Sequence, residues 1–253
     1  MVNRWITFDL DGTIMQNPFI DYVFPEIRNA ICEENRNLTN CVESFVAEHR
    51  NRLNQRQYVE AYDWEEIITS YTQLHELNLL INVEEIVKKH CVPGAIYLLE
   101  EGILEVLQEL KLRGYTLGVI TNGYSKFQMP VMNALGLTPY FERIITPDMI
   151  GYAKPNEGVF MELGEVVAHI GDRIDHDIIP ANTWGAKAIW INRSLPEQLK
   201  SIKLELRTQH EMLRDIILAK LIRESQVNLR TIPREAIPYS VIYKLEELLD
   251  IFL

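Results

Sequence analysis

Short apolar runs recur along the chain at intervals that suit buried strands. They are WITFDL (5–10), TLGVIT (116–121), ERIIT (142–146), VVAHIG (166–171) and AKAIWI (186–191). After residue 95, segments with apolar residues at three- and four-residue spacing separate the runs, and the clearest helical pattern covers 95–114 and ends at Gly114. The alternation of strand and helix predicts a doubly wound α/β fold, in which helices cover both faces of a parallel five-stranded sheet.

Residues 15–92 interrupt this alternation. Four helical patterns follow one another there, and no strand is evident. The segments MQNP and CVPGA, at the start and the end of this block, have the composition of linkers. We therefore predict an all-helical domain at 17–92 that is inserted into a core domain made of 1–16 and 93–253.

The segment after Ser194 carries a further helical pattern. A short extended piece and a final helix follow it, and its apolar residues near one face are Leu206, Leu213, Ile217 and Leu221. An apolar stripe of this kind has to be buried somewhere. Either the chain's own core or a contact between two copies could bury it, so both a monomer and a homodimer stay open.

Composition narrows the range of partners. The 253 residues suffice for one α/β domain and a smaller one, and the formal net charge of −11 argues against nucleic acid or a membrane surface as the main partner. No apolar stretch approaches the roughly 20 residues of a membrane span. The first strand begins close to Met1 and the three cysteines are an odd number, so we expect no signal peptide, free thiols and a cytoplasmic location.

Polar residues stand where the predicted strands end. Asp9 and Asp11 close the first run, and Lys154 lies between the third run and the fourth. The full set is Asp9, Asp11, Thr121, Asn122, Gly123, Lys154, Asp172, Asp175 and Asp177. Because the carboxyl ends of parallel strands share one edge of a sheet, we expect these residues to converge.

This set combines two kinds of binding group. Clustered carboxylates need a cation, and an all-oxygen set suits Mg²⁺. Hydroxyl, backbone N–H and lysine groups are suited to phosphate. Asp9 and Asp11 by themselves could also be solvated or could cap a turn, but a cation site beside an anion site indicates phosphoryl chemistry.

Four short motifs, in this order, resemble those of the haloacid dehalogenase (HAD) superfamily of hydrolases. They are DLDGT (9–13), Thr121 in VITNG (119–123), Lys154 in AKP (153–155) and the acidic GDRIDHD (171–177). The resemblance covers 4–18 and 93–192 and implies a Rossmann-like core with the strand order third, second, first, fourth, fifth. The helical block lies between the first and second motifs, which resembles the subgroup that has a helical cap there.

The resemblance implies a role for each motif residue. Asp9 would be the nucleophile that takes the phosphoryl group, and Asp11 the general acid and base. Thr121 and the Asn122 amide, with Gly123 beside them, would bind phosphoryl oxygens. Lys154 would offset negative charge on the nucleophile and the phosphate.

The resemblance also implies a Mg²⁺ site. The ligands would be the carboxylates of Asp9 and Asp172 and the main-chain carbonyl of Asp11. Asp177 would be a further ligand, either directly or through water.

Two stretches depart from the family pattern. Only 18 positions separate Lys154 from Asp172, where a longer helix is usual, and the stretch from Ser194 to about Arg230 is longer than the usual link. We expect neither stretch to touch the motif residues.

Other titratable residues near the motifs have ordinary interpretations. We expect Asp175 to be a solvated loop acid, His169 to be packed within its strand and His176 to support the motif residues from behind. The charges of the helical block, such as Arg50, are expected to be mostly solvated, although one of them could reach a substrate.

The function that this pattern favours is a Mg²⁺-dependent phosphatase acting on a small cytoplasmic phosphomonoester through an aspartyl-phosphate intermediate. A phosphomutase would keep the same residues and stays open. A haloacid dehalogenase or a phosphonate hydrolase would have no acid at the position of Asp11, and a non-catalytic binding protein would be expected to lack a motif carboxylate. The identity of the ester depends on the helical block and does not follow from the motifs.

Overall fold

Residues 4–252, the part of the chain that the structure describes, are built on a six-stranded parallel sheet. The structure is a computed structural model. Its strands and helices in chain order are β1 (Arg4–Phe8), β2 (Met15–Gln16), α1 (Phe24–Glu34), α2 (Cys41–Asn54), α3 (Trp64–Leu74), α4 (Val83–Lys89), β3 (Tyr97–Leu98), α5 (Ile103–Leu112), β4 (Thr116–Ile120), α6 (Ser125–Ala134), β5 (Arg143–Ile145), α7 (Pro147–Ile150), β6 (Glu165–Gly171), α8 (Ile179–Trp184), β7 (Lys187–Ile191), α9 (Glu197–Lys200), α10 (Glu211–Ser225), β8 (Ser240–Ile242) and α11 (Leu248–Ile251). The predicted core domain also includes 1–3 and 253, which lie outside the described residues.

The strand order in the main sheet is β5-β4-β1-β6-β7-β8, and all neighbours are parallel. This confirms the predicted doubly wound α/β class and the predicted order of the five expected strands, which are β1, β4, β5, β6 and β7. The predicted number of five strands is wrong, because β8 pairs with β7 in the register Ile189↔Ser240. Three residues suffice for this strand because β7 supplies the neighbouring hydrogen-bonding groups. A pattern of apolar residues in the sequence does not reveal such a pairing.

Both faces of the sheet are buried. Alternate residues of β7 belong to opposite sides: Ile189 packs in the cluster that contains α5 and α6, whereas Trp190 packs in the cluster that contains α8 and α10. A strand that is covered on both faces is apolar at successive positions, which explains the continuous apolar runs in the sequence.

The block between β2 and β3 is helical. Residues 19–89, all of which are described, hold α1 to α4, a π-helical turn at Phe19–Val23 and a 3₁₀ turn at Glu60–Tyr62. The entry and exit of the block are joined, since β2 pairs antiparallel with β3. The domain boundaries after 16 and 92 stay a prediction, because Phe19 of this block and Phe127 of α6 meet edge to face at 5.4 Å within one continuous apolar cluster.

The helix predicted from residue 95 begins later, at Ile103. Tyr97 and Leu98 pair with β2, and Gly102 adopts a left-handed conformation with φ 81° immediately before α5. The prediction was wrong for these first residues because the apolar spacing continues smoothly through a strand and a turn.

The apolar face of α10 is buried in the chain's own core, which is one of the two alternatives left open by the sequence. Leu213, Ile217 and Leu221 of α10 pack in the cluster that contains Ile174 and Ile178. Leu206 does not share this face: it lies in a separate 3₁₀ turn, Leu204–Gln209, and is 49% exposed. The prediction for Leu206 was wrong because α10 begins only after His210.

The helices and the cysteines bear on the expectations drawn from composition. In residues 4–252, no helix is both long and apolar enough to cross a membrane. The three cysteines, Cys32, Cys41 and Cys91, are free thiols.

Ile217 and Leu206, two apolar residues of the C-terminal segment, should differ in their contribution to stability. We expect Ile217→Ala to lower the free energy of unfolding by about 2–5 kcal/mol, because it leaves a cavity beneath α10. Leu206→Ala should lower it by less than about 1 kcal/mol, since its side chain is half exposed. Urea unfolding followed by circular dichroism measures both, and equal losses would contradict the burial described for α10.

Candidate active site

The polar residues at the strand ends converge at the carboxyl edge of the sheet. Asp9 follows β1, Thr121 follows β4 and Asp172 follows β6, and all three line one cavity of about 1040 Å³. The helical block closes the opposite side of the cavity with residues that include His49 and Tyr62. The motif residues therefore converge at this edge of the sheet, as their positions at the strand ends predicted.

Lys154 lies at the centre of the site and is only 2% exposed. Its Nζ donates to Asp9 Oδ1 at 2.7 Å and to Asp177 Oδ1 at 2.6 Å. Burial disfavours the charge, but these two carboxylates outweigh that effect and raise the pKa of Lys154 above its usual value. The ammonium group thus joins the first motif to the fourth.

Asp9 is held on three sides. Its N–H donates to Ile170 O at 2.8 Å, which continues the pairing of β1 with β6, and Thr13 Oγ1 donates to Asp9 Oδ2 at 3.1 Å. Burial raises the pKa of the Asp9 carboxyl to about 6, although Lys154 acts in the opposite direction. The carboxylate is therefore positioned but incompletely neutralised.

Three acidic side chains meet beside Lys154. Asp9, Asp172 and Asp177 each bring one carboxylate oxygen within 4.8 Å of the other two. Burial, with repulsion from Asp9 and Asp177, raises the pKa of Asp172 to about 7, whereas Lys154 overcomes burial and lowers the pKa of Asp177. A set of oxygen donors with excess negative charge fits a hard divalent cation.

Asp11 has a different environment from Asp9. Asn17 Nδ2 donates to Asp11 Oδ1 and Gln128 Nε2 donates to Asp11 Oδ2, both at 2.6 Å. Burial raises the pKa of the Asp11 carboxyl, and the two amides partly oppose this shift. The side chain is thus oriented by neutral donors at both of its oxygens.

Sequence reasoning did not find Asn17 or Gln128. Asn17 stands in a segment with the composition of a linker, and Gln128 is a polar residue in α6 that is 4% exposed. A buried glutamine would have been a signal, but its burial follows from the packing of α6 and not from its neighbours in sequence.

The second motif serves the site through both its backbone and its side chains. Asn122 Nδ2 donates to Lys154 O, and the Lys154 N–H donates to Asn122 Oδ1, both at 2.8 Å. Thr121 Oγ1 accepts from the Gly123 N–H at 3.3 Å. A Cβ at Gly123 would lie 2.1 Å from Gln128 Nε2, so only glycine leaves room for the amide that holds Asp11.

The match to a family model decides the relationship. Residues 4–185 match the model of the haloacid dehalogenase-like hydrolases. The chain belongs to this family.

Curated relatives match only part of this HAD chain. It is 36% identical over 98 residues to the glyceraldehyde 3-phosphate phosphatase of Methanothermobacter thermautotrophicus, a match that covers 36% of this chain and 43% of that one. The chain thus spans less than half the length of this curated relative.

Solved structures extend the likeness to the whole fold. A HAD phosphatase from Thermococcus onnurineus has a TM-score of 0.66 at 22% identity, with 98% of this chain and 97% of that chain covered. The L-2-haloacid dehalogenase from Xanthobacter autotrophicus has a TM-score of 0.56 at 16% identity, with 99% of this chain and 98% of that chain covered. These similarities show the HAD fold, which serves more than one reaction.

Two histidines lie close to the fourth motif of this HAD chain. His169 is fully buried, as predicted for a packed residue, but it also hydrogen-bonds: Nε2 lies 3.2 Å from Asp177 Oδ1, and Nδ1 lies 2.9 Å from Thr7 Oγ1. Burial lowers the pKa of His176 to about 4, and its ring lies 3.4 Å from the Tyr62 hydroxyl of the helical block. His169 therefore contacts Asp177 directly, whereas His176 connects the fourth motif to the helical block.

The expectation that Asp175 is solvated was wrong. Arg173 donates to it with Nε at 2.9 Å and Nη2 at 2.8 Å, and the Asp175 side chain is 14% exposed. A two-pronged arginine contact of this kind holds the loop in one conformation.

The C-terminal segment reaches the fourth motif, contrary to the expectation that it does not. Lys220 Nζ lies 3.8 Å from Asp172 Oδ2 and 2.9 Å from Glu224 Oε1, and Glu224 Oε2 accepts from the Ile174 N–H at 2.8 Å. The expectation failed because α10 carries an ordinary helical pattern, and only the docking of Leu213, Ile217 and Leu221 turns this face toward the site.

Glycine at the end of β6 should be essential to this arrangement. A Cβ at Gly171 would lie 2.2 Å from Asp177 Cγ, whereas a Cβ at Gly164 would meet nothing within 4 Å. We expect Gly171→Ala to lower the free energy of unfolding by about 1–3 kcal/mol, since Asp177 must shift, and Gly164→Ala to change it by less than about 0.5 kcal/mol. Denaturant unfolding of the two variants checks this, and an unaffected Gly171→Ala protein would contradict the close approach.

Proposed function

We propose that the protein is a HAD phosphatase that hydrolyses a small phosphate monoester with the help of Mg²⁺. The observation that carries this proposal is the contact of Lys154 with Asp9 and Asp177 next to the cluster formed by Asp9, Asp172 and Asp177. This arrangement offers a place for a divalent cation beside a lysine that can face a phosphate.

The residues present fit the metal. The carboxylates of Asp9 and Asp172, the main-chain carbonyl of Asp11 and the Asp177 side chain would hold it, as the family resemblance implies. The donors are oxygens only, and burial raises the pKa of Asp9 and of Asp172, so a divalent cation beside them would favour their charged forms. A bound Mg²⁺ would supply charge neutralisation for the phosphoryl oxygens.

The chain's own residues divide the proposed reaction into two displacements. An Asp9 carboxylate oxygen attacks phosphorus, the bond from phosphorus to the ester oxygen breaks, and Asp11 gives its proton to the leaving oxygen. Asp11 then takes a proton from water, which attacks the aspartyl phosphate and restores Asp9. Phosphate oxygens would be bound by Lys154 and by Thr121 with the backbone after it.

The environment of Asp11 favours phosphate chemistry over dehalogenation. A haloacid dehalogenase needs no acid two residues after its nucleophile, but here Asp11 lines the cavity and is oriented by Asn17 and Gln128. The phosphatase name of the Methanothermobacter relative supports the same choice. A phosphomutase would use the same groups.

A panel of phosphorylated metabolites tests the proposal. We expect release of inorganic phosphate from at least one small monoester with Mg²⁺, and none after chelation with EDTA. An isomerised phosphate ester without free phosphate would favour the mutase. Loss of chloride from a 2-haloacid without Mg²⁺ would overturn the phosphatase.

Substitution of Asp172 should show whether its carboxylate coordinates Mg²⁺ or only adds negative charge to the site. We expect Asp172→Asn to weaken Mg²⁺ binding by about tenfold or more, because a hard cation depends on its few anionic ligands. Glu165→Gln removes the same charge at the exposed start of β6 and leaves the three-carboxylate cluster and its loop intact, so the Mg²⁺ affinity of this variant should stay close to that of the unaltered protein. Titration calorimetry measures both, and equal effects would show that Asp172 is not a ligand.

Substitutions of Asp9 and Asp11 should fail in different ways. Asp9→Asn removes the attacking atom and should form no phosphoenzyme. Asp11→Asn keeps the nucleophile and should lose about 10²–10⁴-fold in turnover of an alkyl phosphate. An aryl phosphate has a leaving group that needs little protonation, so Asp11→Asn should give a burst of the phenol followed by slow turnover.

Rapid-quench kinetics distinguishes these outcomes. A burst from the Asp9→Asn protein would show that another residue is the nucleophile. Undiminished turnover of an alkyl phosphate by the Asp11→Asn protein would remove Asp11 from the reaction.

A further inference from the structure

We infer that helix α10 of the C-terminal segment supplies two positioning residues to the active site: Glu224 holds the loop that carries Asp172 and Asp177, and Lys220 is the resident counter-cation of Asp172. The consequence for metal binding rests on the proposed function. The contacts themselves join a stretch outside the four motifs to the fourth motif.

Glu224 binds the backbone of the acidic loop. Its side chain is 7% exposed, and Oε2 accepts from the N–H groups of Ile174 at 2.8 Å and Asp175 at 3.4 Å. These amides open the π-helical turn Ile174–Ile178 that leads into α8, where N–H groups have no partner within the helix. A carboxylate satisfies such groups and is favoured at the positive end of a helix.

The loop has two carboxylate anchors, and one of them comes from outside it. Asp177 Oδ2 accepts from the Arg173 N–H at 2.9 Å, so the amides of three successive residues are bound to carboxylates. Asp177 belongs to the loop and cannot fix the loop relative to the rest of the fold by this contact. Glu224 can do so, because α10 is anchored in the core through Ile217 and Leu221.

Lys220 has two carboxylate partners, and they place it between the loop and α10. Its Nζ lies 2.9 Å from Glu224 Oε1 and 3.8 Å from Asp172 Oδ2. A divalent cation bound at Asp172 would repel this ammonium group, and Glu224 offers it a partner one helical turn away. Lys220 therefore opposes metal binding, whereas Glu224 promotes it, and the two residues are distinguished by the sign of their effect.

Calorimetric titration of the full chain with Mg²⁺ tests these signs. We expect Glu224→Ala to weaken binding by about tenfold or more, as is usual when a group that orients metal ligands is removed. Glu224→Gln keeps a carbonyl acceptor for the Ile174 N–H and should recover part of the affinity. Lys220→Met should strengthen binding by about threefold or more, because it removes a positive charge near the cation.

The matched controls lie on the exposed side of the same helix. Arg214→Met and Asp215→Asn make the same changes of charge at exposed positions of α10 and should leave the affinity unchanged. Unchanged affinity in Glu224→Ala, or weakened affinity in Lys220→Met, would overturn the inference.

A second measurement does not depend on the metal. In the metal-free protein, hydrogen exchange at the Ile174 amide should be about tenfold or more faster in Glu224→Ala, which loses the acceptor, and intermediate in Glu224→Gln, which keeps a neutral carbonyl acceptor. Equal exchange in Glu224→Ala and the unaltered protein would overturn the positioning role. Absence of Mg²⁺ binding in the unaltered protein would instead overturn the metal-dependent function, together with the metal-binding effects assigned to Glu224 and Lys220.

Discussion

The structure depends on the buried ammonium group of Lys154 and the two carboxylates that hold it. A lysine that is 2% exposed is tolerable only when it is paired, and Asp9 and Asp177 lie at 2.7 and 2.6 Å from its Nζ. This requirement fixes the end of β1 against the loop after β6. The reciprocal amide contacts of Asn122 then hold the Lys154 backbone against the end of β4.

The remaining carboxylates create a second constraint, because one lysine does not neutralise all of them. Burial raises the pKa of Asp9 to about 6 and that of Asp172 to about 7, because a charged carboxylate is disfavoured away from water. Groups from several elements offset part of this cost. Thr13 donates a hydrogen bond to Asp9, Asn17 and Gln128 donate to Asp11, and Lys220 lies near Asp172. A divalent cation would relieve the charge that these groups leave.

The C-terminal segment connects the far edge of the sheet to this site. Arg207, which is buried, donates to Glu247 with Nη1 at 2.9 Å and Nη2 at 2.7 Å and to the Val241 carbonyl at 3.1 Å, so the chain is fixed beside β8 before it turns into α10. The apolar side of α10 then packs against Ile174 and Ile178, directly behind the acidic loop. The same segment therefore extends the sheet and supports the loop.

The sequence by itself determined the parallel sheet, the order of five of its six strands and the place of the motif residues at one edge. Apolar runs separated by helical periods predict the parallel sheet, and the resemblance of the four motifs to the HAD superfamily implies its strand order. Residues such as Asp9, Thr121 and Asp172 follow strand ends directly. Only the tertiary structure decided that β8 joins the sheet, that Gln128 orients Asp11 and that Glu224 holds the acidic loop. The physical reason is that a local pattern encodes the period and the ends of an element, whereas the partner of a polar side chain is chosen by contacts between residues far apart in the chain, such as the 117 positions between Asp11 and Gln128.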